Sequence, residues 1–149
     1  MMAPIIWLLV IELIGFMFLP ILFKIFADSE DRGYCFSKPL GLATVGLASW
    51  LANLFLTFGT LTIWIYLILA LLFMGSVYIV LCNKSEVLTY LQNRWKYLLS
   101  CELVFLTTFL LFSFVRYLDP SINHTEQPMD FAFLNAMLIS DIAGPIDPW

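Results

Sequence analysis

The sequence predicts an all-α integral membrane protein with four transmembrane helices, an inner interfacial helix and an outer amphipathic helix. Hydrophobic residues make up 62% of the 149 residues and charged residues only 12%, and the mean hydropathy is +0.93. A soluble globular domain has far more charge and less apolar content. Because backbone N–H and C=O groups cannot stay unpaired in lipid, long apolar runs of this kind must form helices.

Four apolar runs approach or exceed the roughly 20 residues that a helix needs to cross a hydrocarbon core of about 30 Å. They cover about 5–26, 40–58, 61–82 and 98–118. The intervening segment 83–97 mixes apolar side chains with Lys84, Glu86, Arg94 and Lys96. It is too polar to span and predicts an amphipathic helix along the inner interface.

Lysine and arginine are distributed unevenly between the predicted loops. All but one of the 7 basic residues lie in the first and third loops, namely Lys24, Arg32, Lys38, Lys84, Arg94 and Lys96. Short cytoplasmic loops carry the excess of basic residues. The pattern therefore predicts that the N-terminus, the second turn and the segment after Leu118 are extracytoplasmic.

Charge and cysteine content exclude two classes of function. With 11 acidic against 7 basic residues, the chain has no basic patch, so nucleic acid is not an expected partner. The three cysteines, Cys35, Cys82 and Cys101, are too few and too scattered for a disulfide framework or a thiolate metal site. They are predicted to be apolar filler at helix ends.

Ionisable residues inside the predicted spans are candidate functional groups, because charge is costly in lipid. Glu12 lies about seven residues into the first span, roughly 10 Å from the outer interface. Arg116, near the outer end of the fourth span, could reach Glu12, so we expect an intramembrane ion pair between these two residues. The alternative is that both only stabilise helix packing. Glu102 is expected to meet lipid headgroups, Lys96 or the first loop. Carboxylates near opposite faces make a carrier or channel a weaker interpretation.

The segment 119–149 is acidic and contains no Lys or Arg. A strongly apolar run predicts a short helix over about 129–139, on the outer membrane surface or packed on the bundle. Prolines on either side break the chain and are expected to hold its flanks extended. The carboxylates of this extracytoplasmic segment are Asp119, Glu126, Asp130, Asp141 and Asp147.

Carboxylates at the outer interface favour two kinds of chemistry. One can act as a general base toward a hydroxyl group, and a pair of them could hold a divalent cation, Mg²⁺ or Mn²⁺, through hard oxygen ligands. Arg116 could bind a lipid phosphate at headgroup depth. The alternative is a solvated acidic rim without chemistry.

Residues 123–125, Asn-His-Thr, also match the glycosylation acceptor pattern, although so short a pattern often arises by chance.

Several strings resemble successive blocks of one family. They include Glu-Leu-Ile-Gly at 12–15, Asp-Arg-Gly-Tyr-Cys-Phe-Ser-Lys-Pro-Leu-Gly-Leu at 31–42, Arg-Tyr-Leu-Asp-Pro at 116–120, Glu-Gln-Pro-Met-Asp-Phe-Ala-Phe-Leu-Asn-Ala at 126–136 and Asp-Pro-Trp at 147–149. In these strings the chain resembles the N-terminal part of the prokaryotic polytopic membrane proteins named for a Tyr-Tyr-Tyr motif, a family of largely uncharacterised function. That family is distantly similar to multispanning glycosyltransferases that use polyprenyl-phosphate sugars.

The resemblance implies a membrane module that contributes its acidic extracytoplasmic segment to a lipid-linked sugar site. It makes Asp130 the candidate general base or metal ligand, followed by Glu126 and Asp147. In the family the Asp-Pro-Trp string precedes the tyrosine motif and further spans, so the chain is expected to need another membrane chain or a longer protein for activity. The alternative function is a non-catalytic accessory subunit of a larger membrane complex.

Overall fold

The computed structural model describes residues 2–56, 60–122, 126–140 and 147–148, and these residues form helices without any strand. The all-α prediction is confirmed. The helices are α1 (Met2–Ile25), α2 (Ser37–Phe55), α3 (Leu61–Cys82), α4 (Lys84–Leu118) and α5 (Gln127–Ile139), with a 3₁₀ turn at Tyr34–Phe36 before α2.

Three helices in the described part of the chain are long and apolar enough to cross a membrane. They are α1 from Ala3, α3 and α4. Helix α2 also has 19 residues, but Lys38, Pro39 and Asn53 lower its apolar content, and it is not among the three. The structure thus supports a multi-pass membrane protein, while the fourth span remains a prediction.

Helix α4 differs from the expected separate interfacial helix and fourth span. It runs without a break for 35 residues, from Lys84 to Leu118, which corresponds to about 52 Å at 1.5 Å per residue. The prediction of a boundary near residue 97 was wrong because it followed hydropathy alone. The sequence of α4 contains neither glycine nor proline, so nothing in the backbone ends the helix where its polarity changes.

Helices α1, α2 and α3 pack against one another, and small residues bring α1 and α2 close together. A Cβ atom on Gly41 would lie 2.9 Å from Ile14 Cγ2 and 3.2 Å from the Ile14 carbonyl oxygen. Close approach through small residues is how helices associate in lipid, where the hydrophobic effect does not favour it. The buried apolar side chains of this region are Ile14, Phe18, Leu22, Phe23, Val45 and Trp64.

The connection between α1 and α2 folds back along α1. Arg32 and Gly33 both have left-handed backbone conformations, with φ of 50° and 75°. A Cβ atom on Gly33 would lie 3.1 Å from Leu22 Cβ, so the turn packs directly on α1. As a result α2 begins beside the middle of α1, where a Cβ atom on Gly15 would meet Lys38 Cγ at 2.7 Å.

The same connection is also tied to α4. The Asp31 carboxylate accepts hydrogen bonds from the Ser29 hydroxyl at 2.7 Å and from the Gly33 N–H at 3.1 Å. The Tyr90 hydroxyl of α4 donates to the Asp31 carbonyl oxygen at 2.7 Å, and its ring packs edge-on against Phe23 of α1. Tyr90 therefore links the first half of α4 to this connection and to α1.

Helix α5 starts two residues before the expected Met129 and ends at the expected Ile139. Pro128 lies in its first turn rather than in an extended flank, because the missing N–H of proline costs no hydrogen bond there. None of its residues is buried, and Leu138 and Ile139 are 83% and 84% exposed. Of the two expected positions, on the membrane surface or packed on the bundle, the exposure of α5 does not indicate extensive packing on the described helices.

Candidate functional site

A cluster of ionised side chains joins α1, α2 and α4 around the Lys38 ammonium group. Lys38 Nζ lies 3.1 Å from Glu12 Oε1 and 2.5 Å from Glu102 Oε2. It also lies 4.0 Å from the centroid of the Phe105 ring. The three charged side chains are only 13%, 20% and 21% exposed for Lys38, Glu12 and Glu102, so solvent screens their interaction weakly.

Tyr34 completes this cluster from the 3₁₀ turn. Its hydroxyl donates a hydrogen bond of 2.5 Å to Glu102 Oε1. Burial of the side chain and its hydrogen bond to the carboxylate both raise the pKa of Tyr34 above its ordinary value. The phenol therefore remains a neutral donor, and Glu102 is held by Tyr34 from the 3₁₀ turn and by Lys38 from the first turn of α2.

The structure assigns Glu12 a different partner from the one expected. Glu12 pairs with Lys38, whereas Arg116 donates to the carbonyl oxygens of Ser121 at 2.8 Å and Asp119 at 3.3 Å. The expected Glu12–Arg116 pair is absent from the ion pairs of the described residues. Of the three partners considered for Glu102, the structure brings it to the first loop, through Tyr34 and Lys38.

Glu12 and Glu102 therefore lie together rather than near opposite faces. Their separation along the spans suggested two isolated carboxylates, but the connection that folds back along α1 carries Lys38 to the middle of that helix. One ammonium group then reaches both carboxylates. The arrangement ties three helices together at a single point.

An apolar groove runs between α1 and α4, from this cluster toward the start of α1 and the end of α4. It consists of a cavity of about 620 Å³ and a second of about 510 Å³, and both are lined by Ile11 and Phe105. The larger cavity ends at Arg116, and the smaller one ends at Lys38 and Glu102. Its remaining apolar walls include Trp7, Phe109 and Phe112.

Arg116 connects the end of the groove to the acidic segment. Besides the two carbonyl contacts, its Nη1 atom lies 3.4 Å from Gln127 Oε1, at the first residue of α5. Asp130 lies in the first turn of the same helix and is exposed. Glu126 is the residue before α5, and its carbonyl oxygen accepts the Asp130 N–H at 3.0 Å.

The structure does not bring the three candidate carboxylates into a metal site. Within the described ranges, no group of three or more His, Cys, Asp and Glu residues could hold a metal ion. Divalent Mg²⁺ or Mn²⁺ needs several hard oxygen ligands, so a metal site at Asp130 and Asp147 stays a prediction. His124 and the rest of the glycosylation pattern at 123–125, together with Asp141 and Trp149, lie outside the described residues.

A separate cavity with polar walls, of about 580 Å³, lies between the α1–α2 connection and the first half of α4. Glu86 on its wall accepts hydrogen bonds from Lys24 at 3.1 Å and Arg32 at 3.2 Å. Arg94 pairs with Glu30 at 3.4 Å, but these two side chains are 45% and 87% exposed. Ion pairs this exposed contribute little to stability, so we interpret the walls of this cavity as a solvated ionic surface.

A family model described as "Uncharacterized membrane protein (DUF2298)" matches residues 44–149. The chain belongs to the DUF2298 family. The matched region includes most of α2 and all of α3, α4 and α5. No curated protein and no solved structure matches the chain.

The DUF2298 match contains Glu102, Arg116 and Asp130, whereas Glu12 and Lys38 precede it. Sequence reasoning missed Lys38 as a site residue because it counted that lysine among the loop charges that set orientation. Gly33 followed by Tyr34 was the available signal, since a glycine that allows a left-handed turn lets the chain reverse direction.

Proposed function

We propose that this DUF2298 chain is the N-terminal membrane module of a glycosyltransferase-like protein that uses a polyprenyl-phosphate sugar. The observation that carries the proposal is the apolar groove between α1 and α4 that ends at Arg116. A polyprenyl chain is apolar along its length and anionic at its phosphate. The groove matches both features, with aromatic walls and a guanidinium group at one end.

The contact between Arg116 and Gln127 supports a shared site for the phosphate and the acceptor. It brings the guanidinium group to the start of the helix that carries Asp130 in its first turn. The resemblance to the proteins named for a Tyr-Tyr-Tyr motif, and through them to lipid-dependent glycosyltransferases, identifies the same carboxylate as the candidate base. Glu126 and Asp147 are second candidates for that role.

In this mechanism the Asp130 carboxylate takes a proton from an acceptor hydroxyl group. The hydroxyl oxygen attacks the anomeric carbon, the bond from that carbon to the phosphate oxygen breaks, and polyprenyl phosphate leaves. Arg116 offsets the charge of the leaving phosphate through charge-assisted hydrogen bonds. Mg²⁺ or Mn²⁺ would neutralise phosphate charge if bound, but no step depends on it.

The chemical step is tested with Asp130→Asn in membranes that contain the chain and its natural partners. Transfer of radiolabelled sugar from a polyprenyl-phosphate sugar should fall by about 100-fold or more, the size of a general-base contribution. Asp28→Asn, an exposed acid of the α1–α2 connection, is the matched control and should retain transfer. Equal transfer by Asp130→Asn and wild type would exclude Asp130 as the base.

The lipid site is tested separately by native mass spectrometry in mild detergent with added polyprenyl phosphate. Wild type and Arg94→Gln should carry one lipid per chain, whereas Arg116→Gln should lose most of this adduct. Arg94 is a suitable control because it lies on the same helix and outside the groove. An equal adduct on Arg116→Gln and wild type would contradict the proposed phosphate site.

The exposed apolar surface of α5 favours a second candidate function, that of an accessory subunit. Leu134, Leu138 and Ile139 are 60%, 83% and 84% exposed, and exposed apolar patches often mark a partner or membrane contact. Purification in mild detergent distinguishes the two functions. A stoichiometric complex with another membrane protein that contains neither polyprenyl phosphate nor sugar-transfer activity would favour the accessory role.

A further inference from the structure

Two cysteine side chains from distant parts of the sequence meet beside the ionic cluster. Cys35 lies in the 3₁₀ turn and Cys101 on α4, 66 residues apart, yet their Sγ atoms are 3.5 Å from each other. The Tyr97 hydroxyl lies 3.3 Å from Cys35 Sγ. This pairing replaces the expectation that the cysteines are unrelated apolar residues at helix ends.

Neither thiol is enclosed by the rest of the described chain. Cys35 is exposed and Cys101 is partly exposed, and both line the smaller cavity of the groove. Cys101 directly precedes Glu102, and Cys35 directly follows Tyr34, the hydrogen-bond donor to that carboxylate. A covalent bond between the two sulfurs would therefore join the same two segments that the ionic cluster joins.

We propose that Cys35 and Cys101 form a reversible disulfide by exchange with a low-molecular-weight disulfide such as glutathione disulfide. The exposed Cys35 thiolate attacks one sulfur of the oxidant and releases one thiolate. The Cys101 thiolate then attacks the Cys35 sulfur of the mixed disulfide and releases the second. Two protein thiols are oxidised, one small disulfide is reduced to two thiols, and the protein protons pass to solvent.

The geometry requires only a small movement. A disulfide bond is about 2.05 Å long, so the sulfurs must approach by about 1.5 Å. Cys35 itself is exposed, whereas Tyr34 beside it in the 3₁₀ turn is buried. The new bond would hold the turn against α4 whether or not Lys38 and Tyr34 hold Glu102.

The chemistry is tested by treating the full chain in detergent with glutathione disulfide and mapping it by peptide mass spectrometry. The expected product is a peptide pair linked between Cys35 and Cys101 that separates again with dithiothreitol. Cys82, at the end of α3 and exposed, serves as an internal control and should remain free or carry only glutathione. The result that would overturn the proposal is a stable glutathione adduct on Cys35, or both thiols remaining as alkylatable as Cys82.

A second measurement tests the structural consequence. Glu102→Gln should lower the unfolding temperature of the reduced protein more than that of the oxidised protein, since the disulfide replaces the lost contacts. In the Cys35→Ser background the Glu102→Gln shift should be the same with and without oxidant. If Glu102→Gln lowers the unfolding temperature equally in the reduced and oxidised forms of the protein with all its cysteines, the result would contradict a stabilising disulfide at this point.

Discussion

Removal of the Lys38 ammonium group is the most informative perturbation of the fold. In Lys38→Met the carboxylates of Glu12 and Glu102 lose the cation that lies 3.1 Å and 2.5 Å from them. They then face each other in a region where each side chain is only about one-fifth exposed. Like charges in such a setting repel, and each has also lost a charge-assisted hydrogen bond.

The magnitude follows from the partial burial of the cluster. Breaking a fully buried ion pair costs about 3–5 kcal/mol, whereas an exposed pair contributes about 0–1 kcal/mol. For groups that keep a fifth of their surface in solvent we expect Lys38→Met to lower the free energy of unfolding by about 2–3 kcal/mol. The residual exposure places the value below the fully buried range.

The assay is unfolding in mixed detergent micelles, followed by the fluorescence of the 5 tryptophans. Lys84→Met is the matched control, because Lys84 is exposed and forms no ion pair with any described residue. The triple variant Lys38→Met, Glu12→Gln, Glu102→Gln should recover part of the loss, since it removes the unpaired charges. A Lys38→Met chain as stable as the Lys84→Met control would refute a structural role for the cluster.

Two further predictions concern the α1–α2 packing and the connection between these helices. Gly41→Ala should destabilise the protein by about 1–3 kcal/mol, because its Cβ atom would lie 2.9 Å from Ile14 Cγ2. The control Gly46→Ala should be neutral or stabilising, because a Cβ atom there would have nothing within 4 Å. Equal free energies of unfolding for the two variants in detergent would contradict the close contact. Although partial burial opposes it, hydrogen bonds from Ser29 and Gly33 hold the pKa of Asp31 below its ordinary value. The carboxylate charge of Asp31 thus stabilises the fold above about pH 4. Above this pH the wild type should be more stable than Asp31→Asn by about 1 kcal/mol, and the difference should disappear as the pH falls through the lowered pKa of Asp31. If the unfolding midpoints of the two proteins differ by the same amount at every pH, the charge plays no part.

The helices follow closely from the apolar runs and their boundaries. The limits of α3 are those of the apolar run at 61–82, and the C-terminal limit of α5 is the expected residue 139. Hydropathy indicates where apolar segments lie but not whether a helix continues into a polar stretch. The expected helix boundary before residue 98 was wrong for that reason, since α4 is continuous.

The ionic cluster was not predictable from periodicity or depth. A residue count places Glu12 along α1 but does not show which residues of the next segment lie beside it. The left-handed Arg32–Gly33 turn instead folds the connection back along α1, so that Lys38 lies beside Gly15. The role of Arg116 as a phosphate ligand was an expectation from its depth, whereas the groove beside it is visible only from the positions of α1 and α4 in the fold.

The most direct test of the proposed lipid site is photo-cross-linking with a polyprenyl phosphate that carries a photoreactive group along its chain. The full chain is reconstituted in nanodiscs, irradiated and mapped by mass spectrometry. We expect adducts on the groove-lining residues Trp7, Phe105, Phe109 and Phe112, and fewer of them in Arg116→Gln. Equal labelling of the exposed residues Tyr66, Phe73 and Tyr78 of α3 would contradict a specific site between α1 and α4.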